Sequence, residues 1–198
     1  GHSIAQTDAQ LIRCLPEILE DGSSELSASF RFSLNVIWQR FLDTIKQISL
    51  IEKELKTIIS QDRTCKRLQA LEGVGPVCAV LIKIALGNVT HFRNGREASA
   101  CFGLTPVQHS SGGKEKIGSI SKMTGNKKLR SALYKGALAV VSQVEKRESR
   151  TQKDNWLKGI ISRRGKKIAA IALANKTIRT AFALLKNDQD YKPQLLAA

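Results

Sequence analysis

Arg67-Leu68-Gln69-Ala70-Leu71-Glu72-Gly73-Val74-Gly75-Pro76-Val77-Cys78-Ala79-Val80-Leu81-Ile82 reads as two helices joined by one tight turn. Gly73 can take the left-handed conformation that ends a helix. Val74 plugs the turn, and Gly75 admits a close backbone. Pro76 falls at the first position of the second helix, where its missing N–H costs nothing. Ala79 is small where the two helices cross. Helical patterns also dominate on either side of this hairpin, and strand signals are confined to one short region. The expected fold class is mainly α: a long coiled-coil-like helix, then a helical domain holding this helix-hairpin-helix motif and a small β-hairpin.

Upstream, Glu25 to about Ser60 contains neither Gly nor Pro and predicts one long helix. Leu34, Ile37, Phe41, Thr44, Ile48, Ile51, Leu55 and Ile58 fall at heptad spacing, and only Thr44 is not apolar. Arg40, Lys46, Lys53 and Lys56 lie off the seam. A helix cannot bury such a seam against itself. An intramolecular partner and a homodimer or higher oligomer both remain open. Residues 4–21 form a shorter helical segment in which Pro16 predicts a kink or two short helices. The domains expected are 4–66 as a helical coiled-coil region, 67–186 as the hairpin-containing domain, and 187–198 as a frayed tail.

The charge is unusual for a chain of ordinary hydrophobic content. Of 198 residues, 32 are Lys or Arg and 17 are Asp or Glu, a net charge of +15. Residues 1–66 carry 8 basic and 9 acidic residues, whereas residues 67–198 carry 24 and 8. All of the excess lies in the second part, which points to a polyanionic partner there. Cys14, Cys65, Cys78 and Cys101 show no C-x-x-C spacing, and only three histidines accompany them, so no metal site is expected in this chain. Cys78 and Cys101 lie among apolar residues and read as buried reduced thiols, as in a cytoplasmic chain. The longest apolar run, Ile168 to Ala174, is too short to cross a bilayer, and no membrane is expected as a partner.

Downstream, Gly103 to Arg130 concentrates the chemistry. Ser110-Ser111-Gly112-Gly113 sets two hydroxyls beside two conformationally free residues, between strand-like segments at Val107–Ser110 and Lys116–Ile120. Lys114, Lys116 and Lys122 surround it. Thr124 or Asn126 can cap a helix from Lys127 to about Lys146 that opens on Lys127, Lys128 and Arg130. Cations there oppose the helix dipole, which a bound anion would compensate. A further helix over Thr151–Ser162, with Trp156, Ile160 and Ile161 inward, leads to Arg163-Arg164-Gly165-Lys166-Lys167, read as a turn. An apolar last helix covers Ile168 to Lys186. The hairpin turn at Gly73, Val74 and Gly75 resembles the DNA-binding helix-hairpin-helix module, whose second helix can hold a phosphate on free N–H groups.

The order L-x-x-L-x-G-V-G-P-x-x-A, H-F-R, A-S-A-C-F-G-L-T-P, H-S-S-G-G-K, I-S-K-M-T-G-N-K-K-L-R and R-G-K-K-I-A-A-I-A is similar to the C-terminal domain of one insertion-sequence transposase family. Its members are related to the Piv invertase and are described as bridge-RNA-guided recombinases. The resemblance covers roughly Leu68 to Leu185. It implies a two-part active site: an N-terminal RuvC-like domain whose four acidic residues hold Mg²⁺, and a Ser-Gly serine that attacks DNA and stays attached as a phosphoserine. That serine is Ser111 here, with Ser110 as the alternative. Residues 1–66 show no alternating strands and no spaced set of carboxylates, so the chain reads as a C-terminal fragment, inactive by itself. DNA is the implied partner and a guide RNA a further one. The competing reading is a non-catalytic nucleic-acid-binding module.

Overall fold

The computed structural model describes residues 7–23, 26–111, 114–120 and 125–196, and only the backbone of residues 109–111 and 114–117. Among the described residues there are eight α-helices, one 3-10 turn and one two-stranded sheet. The fold is mainly α. The chain divides into two compact units, residues 1–54 and 55–198.

The first unit holds α1, Asp8–Glu20, and most of α2, Ala28–Gln61. Thr7 caps α1 by accepting the Gln10 N–H. Pro16 lies inside α1 without dividing it, so the expectation of two short helices is not met. One missing N–H removes one hydrogen bond, and the bonds on either side persist. Arg31 of α2 donates to the carbonyls of Leu19 at 2.7 Å and Asp21 at 2.8 Å, which satisfies the open C-terminal end of α1. Leu15 and Trp38 are the buried apolar residues here, and Trp38 stacks on Phe41. Ile37, Ile48 and Ile51 of the heptad seam stay more than half exposed, at 65%, 51% and 67%.

The second unit begins within α2 and continues through α3 (Arg63–Gln69), α4 (Pro76–Leu86), the 3-10 turn Val89–His91, α5 (Gly95–Cys101), β1 (Pro106–Ser111), β2 (Lys114–Ile120), α6 (Lys127–Lys146), α7 (Gln152–Arg164) and α8 (Lys166–Lys186). Its core is aliphatic. α8 buries Ala169, Ala170, Leu173, Ala174, Ile178 and Ala181, and α3, α4, α5, α6 and α7 all pack on it. Alanines on that side let several helices approach one axis. Leu129, Leu133, Ala137, Val141 and Val144 form the buried stripe of α6, and Ala79, Ile82 and Leu86 that of α4. α8 is long and apolar enough to cross a membrane by composition alone, but half of its apolar window lies inside this core.

Four expectations are corrected. Arg163 to Lys167 is not a turn. Arg163 and Arg164 close α7, Lys166 and Lys167 open α8, and Gly165 alone, at φ 81°, makes the break. Cys101 is exposed, because α5 turns Ala98 and Ser99 to the core, while Cys65 and Cys78 are the buried thiols. Burial pushes the Cys78 thiol up to about 11. Residues 187–196 are not frayed. The buried Arg67 donates to Asp188 at 2.6 Å and to Asp190 at 2.9 Å. The chain then runs beside the start of α7, where Gln152 N–H donates to Gln194 O and Leu196 N–H to Arg150 O.

The fourth concerns the α3–α4 turn. The close backbone approach is made by Gly73, not Gly75. Gly73 has φ 79°, and a Cβ on it would lie 2.8 Å from the carbonyl oxygen of Gly136 in α6. A Cβ on Gly136 would stand 1.9 Å from the Gly73 oxygen. Val74 is buried beside this contact. Gly136→Ala should therefore destabilise the fold by at least ~1–3 kcal/mol. Gly159→Ala, at a position in α7 with open space around it, should stabilise by about 0.5–1 kcal/mol. Thermal unfolding followed by circular dichroism measures both; equal melting temperatures for the two variants would contradict the contact.

Candidate nucleic-acid interface

α6 is the bar on which the candidate residues are hung. It has 20 residues, or about 30 Å. At its start Asn126 accepts the Leu129 N–H, so Asn126 is the cap. Gly125, at φ 79°, sits so close to the Phe102–Gly103 peptide that its Cβ would be 2.4 Å from the Phe102 carbonyl carbon. Arg130 reaches the Gly103 carbonyl at 3.5 Å. These contacts fasten the root of the β-hairpin to the start of α6. Lys127 and Lys128 are exposed there, and no acid lies in the first turn.

Halfway along α6, about 14 Å on, Gly136 receives the α3–α4 turn. Gly75, the cap of α4, makes no side-chain cap bond, and nothing lies within 4 Å of where its Cβ would stand. Gly73 and Val74 face the protein and Gly75 faces outward. Near the end of α6, Glu145 pairs with Lys166 at 2.6 Å. The residues at the α7–α8 break thus lie near the far end of α6 from Lys127 and Lys128. Arg163, Arg164 and Lys167 are exposed, and the Arg163 guanidinium donates back to Gly159 O. Of the predicted cations on helices, Lys127, Lys128 and Arg130 lie at one end of α6 and Arg163, Arg164, Lys166 and Lys167 near the other, about 27 Å apart, with the hairpin turn between them; Lys114 and Lys116 lie on the strand opposite the serines.

β1 and β2 pair antiparallel, with Ser111 opposite Lys114, Ser110 opposite Glu115 and His109 opposite Lys116. A register irregularity falls between Pro106 and Gln108. Ser110 and Ser111 are therefore at the end of β1 away from α6. Gly112, Gly113 and Lys122 lie outside the described residues, and for Ser110, Ser111, Lys114 and Lys116 the backbone alone is described.

α7 is oriented by Asp154. Thr151 and Asp154 form a reciprocal capping box, and Asp154 also takes the Arg147 guanidinium at 2.9 Å and the Arg150 N–H at 2.8 Å. Burial raises the Asp154 carboxyl, but the Arg150 N–H and the Arg147 guanidinium outweigh it and hold it below its ordinary value. Sequence reasoning misses Asp154, Arg67 and the group formed by Lys153, Glu72 and Tyr191. It also misses Lys176 and Arg179, the only charges between Ile168 and Leu185. Two unaccompanied cations three residues apart on an apolar helix are a legible signal.

This helical domain, with cations at helix starts and a two-serine strand on a small hairpin, is similar in sequence to transposases. Residues 65–154 match the family described as Transposase IS116/IS110/IS902. The chain is 35% identical over 192 residues to the transposase for insertion sequence element IS1111A of Coxiella burnetii, covering 97% of this chain and 52% of that one. It is 38% identical over 148 residues to a probable family 20 transposase of Pseudomonas aeruginosa, covering 74% and 43%. A putative transposase, y4pF/y4sB, of Sinorhizobium fredii is 34% identical over 178 residues, covering 90% and 45%. The chain belongs to the IS116/IS110/IS902 transposase family, and it spans about half the length of the curated relatives it matches.

Asp154 gives this region a pH signature. A carboxyl lowered by folding contributes stability that is complete above the unfolded value, about 3.9. That stability is lost as pH falls through the lower folded value. Asp154→Asn should cost about 1–3 kcal/mol at pH 7, and urea unfolding should show the gap from wild type closing as pH drops below about 4. A gap that stays constant with pH would mean that the charge of Asp154 is unimportant.

Proposed function

We propose that this chain is the nucleic-acid-engaging, serine-bearing part of a DNA transposase, and that Ser111 is its nucleophile, with Ser110 the alternative. The observation that carries this is that Ser110 and Ser111, the first half of a Ser-Ser-Gly-Gly stretch, end a strand whose pair is rooted at the cationic start of α6, in a chain of this family. In the step proposed, the Ser111 hydroxyl gives up its proton, and its oxygen bonds to phosphorus. The bond from phosphorus to one deoxyribose oxygen breaks, and that oxygen leaves as a hydroxyl after taking up a proton. A phosphodiester is exchanged for a phosphoserine ester, so no energy source is required. Attack on that ester by a sugar hydroxyl of another strand joins the DNA and frees the serine.

A serine hydroxyl needs activation by a base or a metal. Among the described residues no three His, Cys, Asp or Glu side chains gather as a metal site. We assign Mg²⁺ to the carboxylates of a RuvC-like domain in the full-length protein. Duplex DNA is the proposed partner of Lys127, Lys128 and the uncapped start of α4, and a guide RNA is a further candidate.

The test is a denaturing gel of labelled DNA incubated with full-length transposase, Mg²⁺ and any required guide. Wild type and Ser110→Ala should give a protein–DNA adduct. Ser111→Ala should give none while binding DNA within about twofold of wild type, because one hydroxyl adds little beside many phosphate contacts. An adduct that survives Ser111→Ala and disappears with Ser110→Ala moves the nucleophile by one residue. Cleavage by wild type without any adduct favours the non-catalytic hairpin module.

The exposed seam of α2 supports self-association. Ile37, Ile48 and Ile51 lie in water on a 34-residue helix, and a second copy could cover them by heptad packing. Ile48→Asp should shift the sedimentation-equilibrium mass towards monomer. A wild-type protein that is monomeric at high concentration would refute this.

A further inference from the structure

Lys176 and Arg179 have no part in the mechanism above. Both are exposed, on a helix face whose neighbouring elements are fixed with little freedom. Gly95 of α5 lies so close to α8 that a Cβ on it would stand 3.1 Å from Arg179 Cα and 3.2 Å from its carbonyl oxygen. That contact sets Arg96 beside Arg179. Asn175 donates from Nδ2 to the Leu104 carbonyl at 3.0 Å, which ties the chain just ahead of β1 to the same helix.

A groove of about 1090 Å³ runs between these elements. Arg96, Lys176 and Arg179 supply its charge, and Trp156 and Ile171 supply apolar wall. Pro106, the first residue of the serine strand, lines it as well. A second groove of about 920 Å³ shares Trp156, Lys176 and Thr180 with the first and continues past Lys153 and Lys192. Together they exceed the ~300–1,000 Å³ of a small-ligand site, so a polymer fits better than a metabolite.

Among the described residues none of Arg96, Lys176 and Arg179 makes a salt bridge. The Lys176 amine stands 4.6 Å from the centre of the Trp156 ring. Burial first, then the charges of Lys153 and Arg179, hold that amine below its ordinary value. An anion would relieve that repulsion. An aromatic ring between cations suits a strand whose bases are unpaired, since stacking requires an open base face. A duplex keeps its bases stacked on one another, and the half-buried Trp156 offers it nothing.

We propose that this groove between α5, α7 and α8 binds a single-stranded segment of nucleic acid, with phosphates on Arg96, Lys176 and Arg179 and a base against Trp156. The proposal rests on the nucleic-acid reading above, but it assigns single strands to a surface apart from Lys127 and Lys128. Pro106 at the groove's edge begins β1, which spans about 17 Å from there to Ser111.

The chain has two tryptophans, Trp38 and Trp156. Trp38→Phe leaves Trp156 as the sole reporter. This protein should be titrated with labelled oligothymidylate and oligouridylate of about 12 nucleotides, within the usual range of single-strand site sizes, and with a duplex of equal length. Anisotropy reads affinity and intrinsic fluorescence reads Trp156. Either single strand should change the Trp156 emission and the duplex should not. The sugar that binds more tightly identifies the occupant as DNA or RNA.

Lys176→Gln with Arg179→Gln should weaken single-strand binding about tenfold or more. It should also reduce the salt slope by about 1.4, or about 0.7 for each phosphate no longer neutralised, and change duplex affinity less than twofold. Arg96→Gln, on a different helix, should weaken single-strand binding in the same direction. Lys127→Ala with Lys128→Ala should weaken duplex binding instead. Single strands that bind without altering Trp156 emission overturn the groove. So do variants that lose single-strand and duplex affinity equally. In both cases intact duplex binding by wild type leaves the broader reading standing. Failure of wild type to bind any of the three probes overturns both.

Discussion

The contact between Gly73 and Gly136 is the constraint on which the second unit depends. Two backbones meet with no side chain between them, in a turn that requires φ 79° at Gly73. Only glycine at both positions allows it. The contact presses the α3–α4 hairpin onto the middle of α6, buries Val74 beside it, and turns Gly75 to the outside. It therefore decides which end of the hairpin can meet a partner. Gly125 against Phe102–Gly103 and Gly95 against Arg179 repeat the device at the hairpin root and at α5. Backbone contacts position the elements.

The electrostatics follow from this arrangement. α6 and α8 both begin with lysines, where the helix dipole favours acids. At α8 part of the cost is offset by Glu145, which pairs with Lys166. At α6 no acid lies in the first turn. Acidic residues serve the structure instead: Asp154 the start of α7, Asp188 and Asp190 the guanidinium of Arg67, Glu72 the amine of Lys153. Several carboxylates of the unit are thus committed to its own helix start, guanidinium and C-terminal strap, and few are left to face the outward cations.

Much of the architecture was legible in the sequence. Residues 26–61 lack Gly and Pro, which permits one long helix, and apolar spacing at Leu129, Leu133, Ala137, Val141 and Val144 marks the buried side of α6. Such features depend on near neighbours, whose period the chain writes directly. The Ser-Ser-Gly-Gly stretch and its flanking strands were legible for the same reason, as was the cap at Asn126, left open only against Thr124. The break at Gly165 was not, because a cluster of five turn-like or charged residues hides a single pivot between two helices. The C-terminal strap was not legible because its anchors are distant: Arg67 lies more than 120 residues before Asp188 and Asp190.

The sequence by itself determined the mainly α class, the hairpin, the asymmetry of charge and the family of the chain, since each is carried by local order or by motif succession. Tertiary structure alone decided which glycine of the hairpin faces the core, that Cys101 is exposed and that the α7–α8 break lies near the far end of α6 from Lys127 and Lys128. It also brought Arg96 from α5 to Lys176 and Arg179 on α8, around Trp156 from α7. These facts depend on which helix lies across which, and contacts between residues far apart in sequence leave no periodic trace in the chain that makes them.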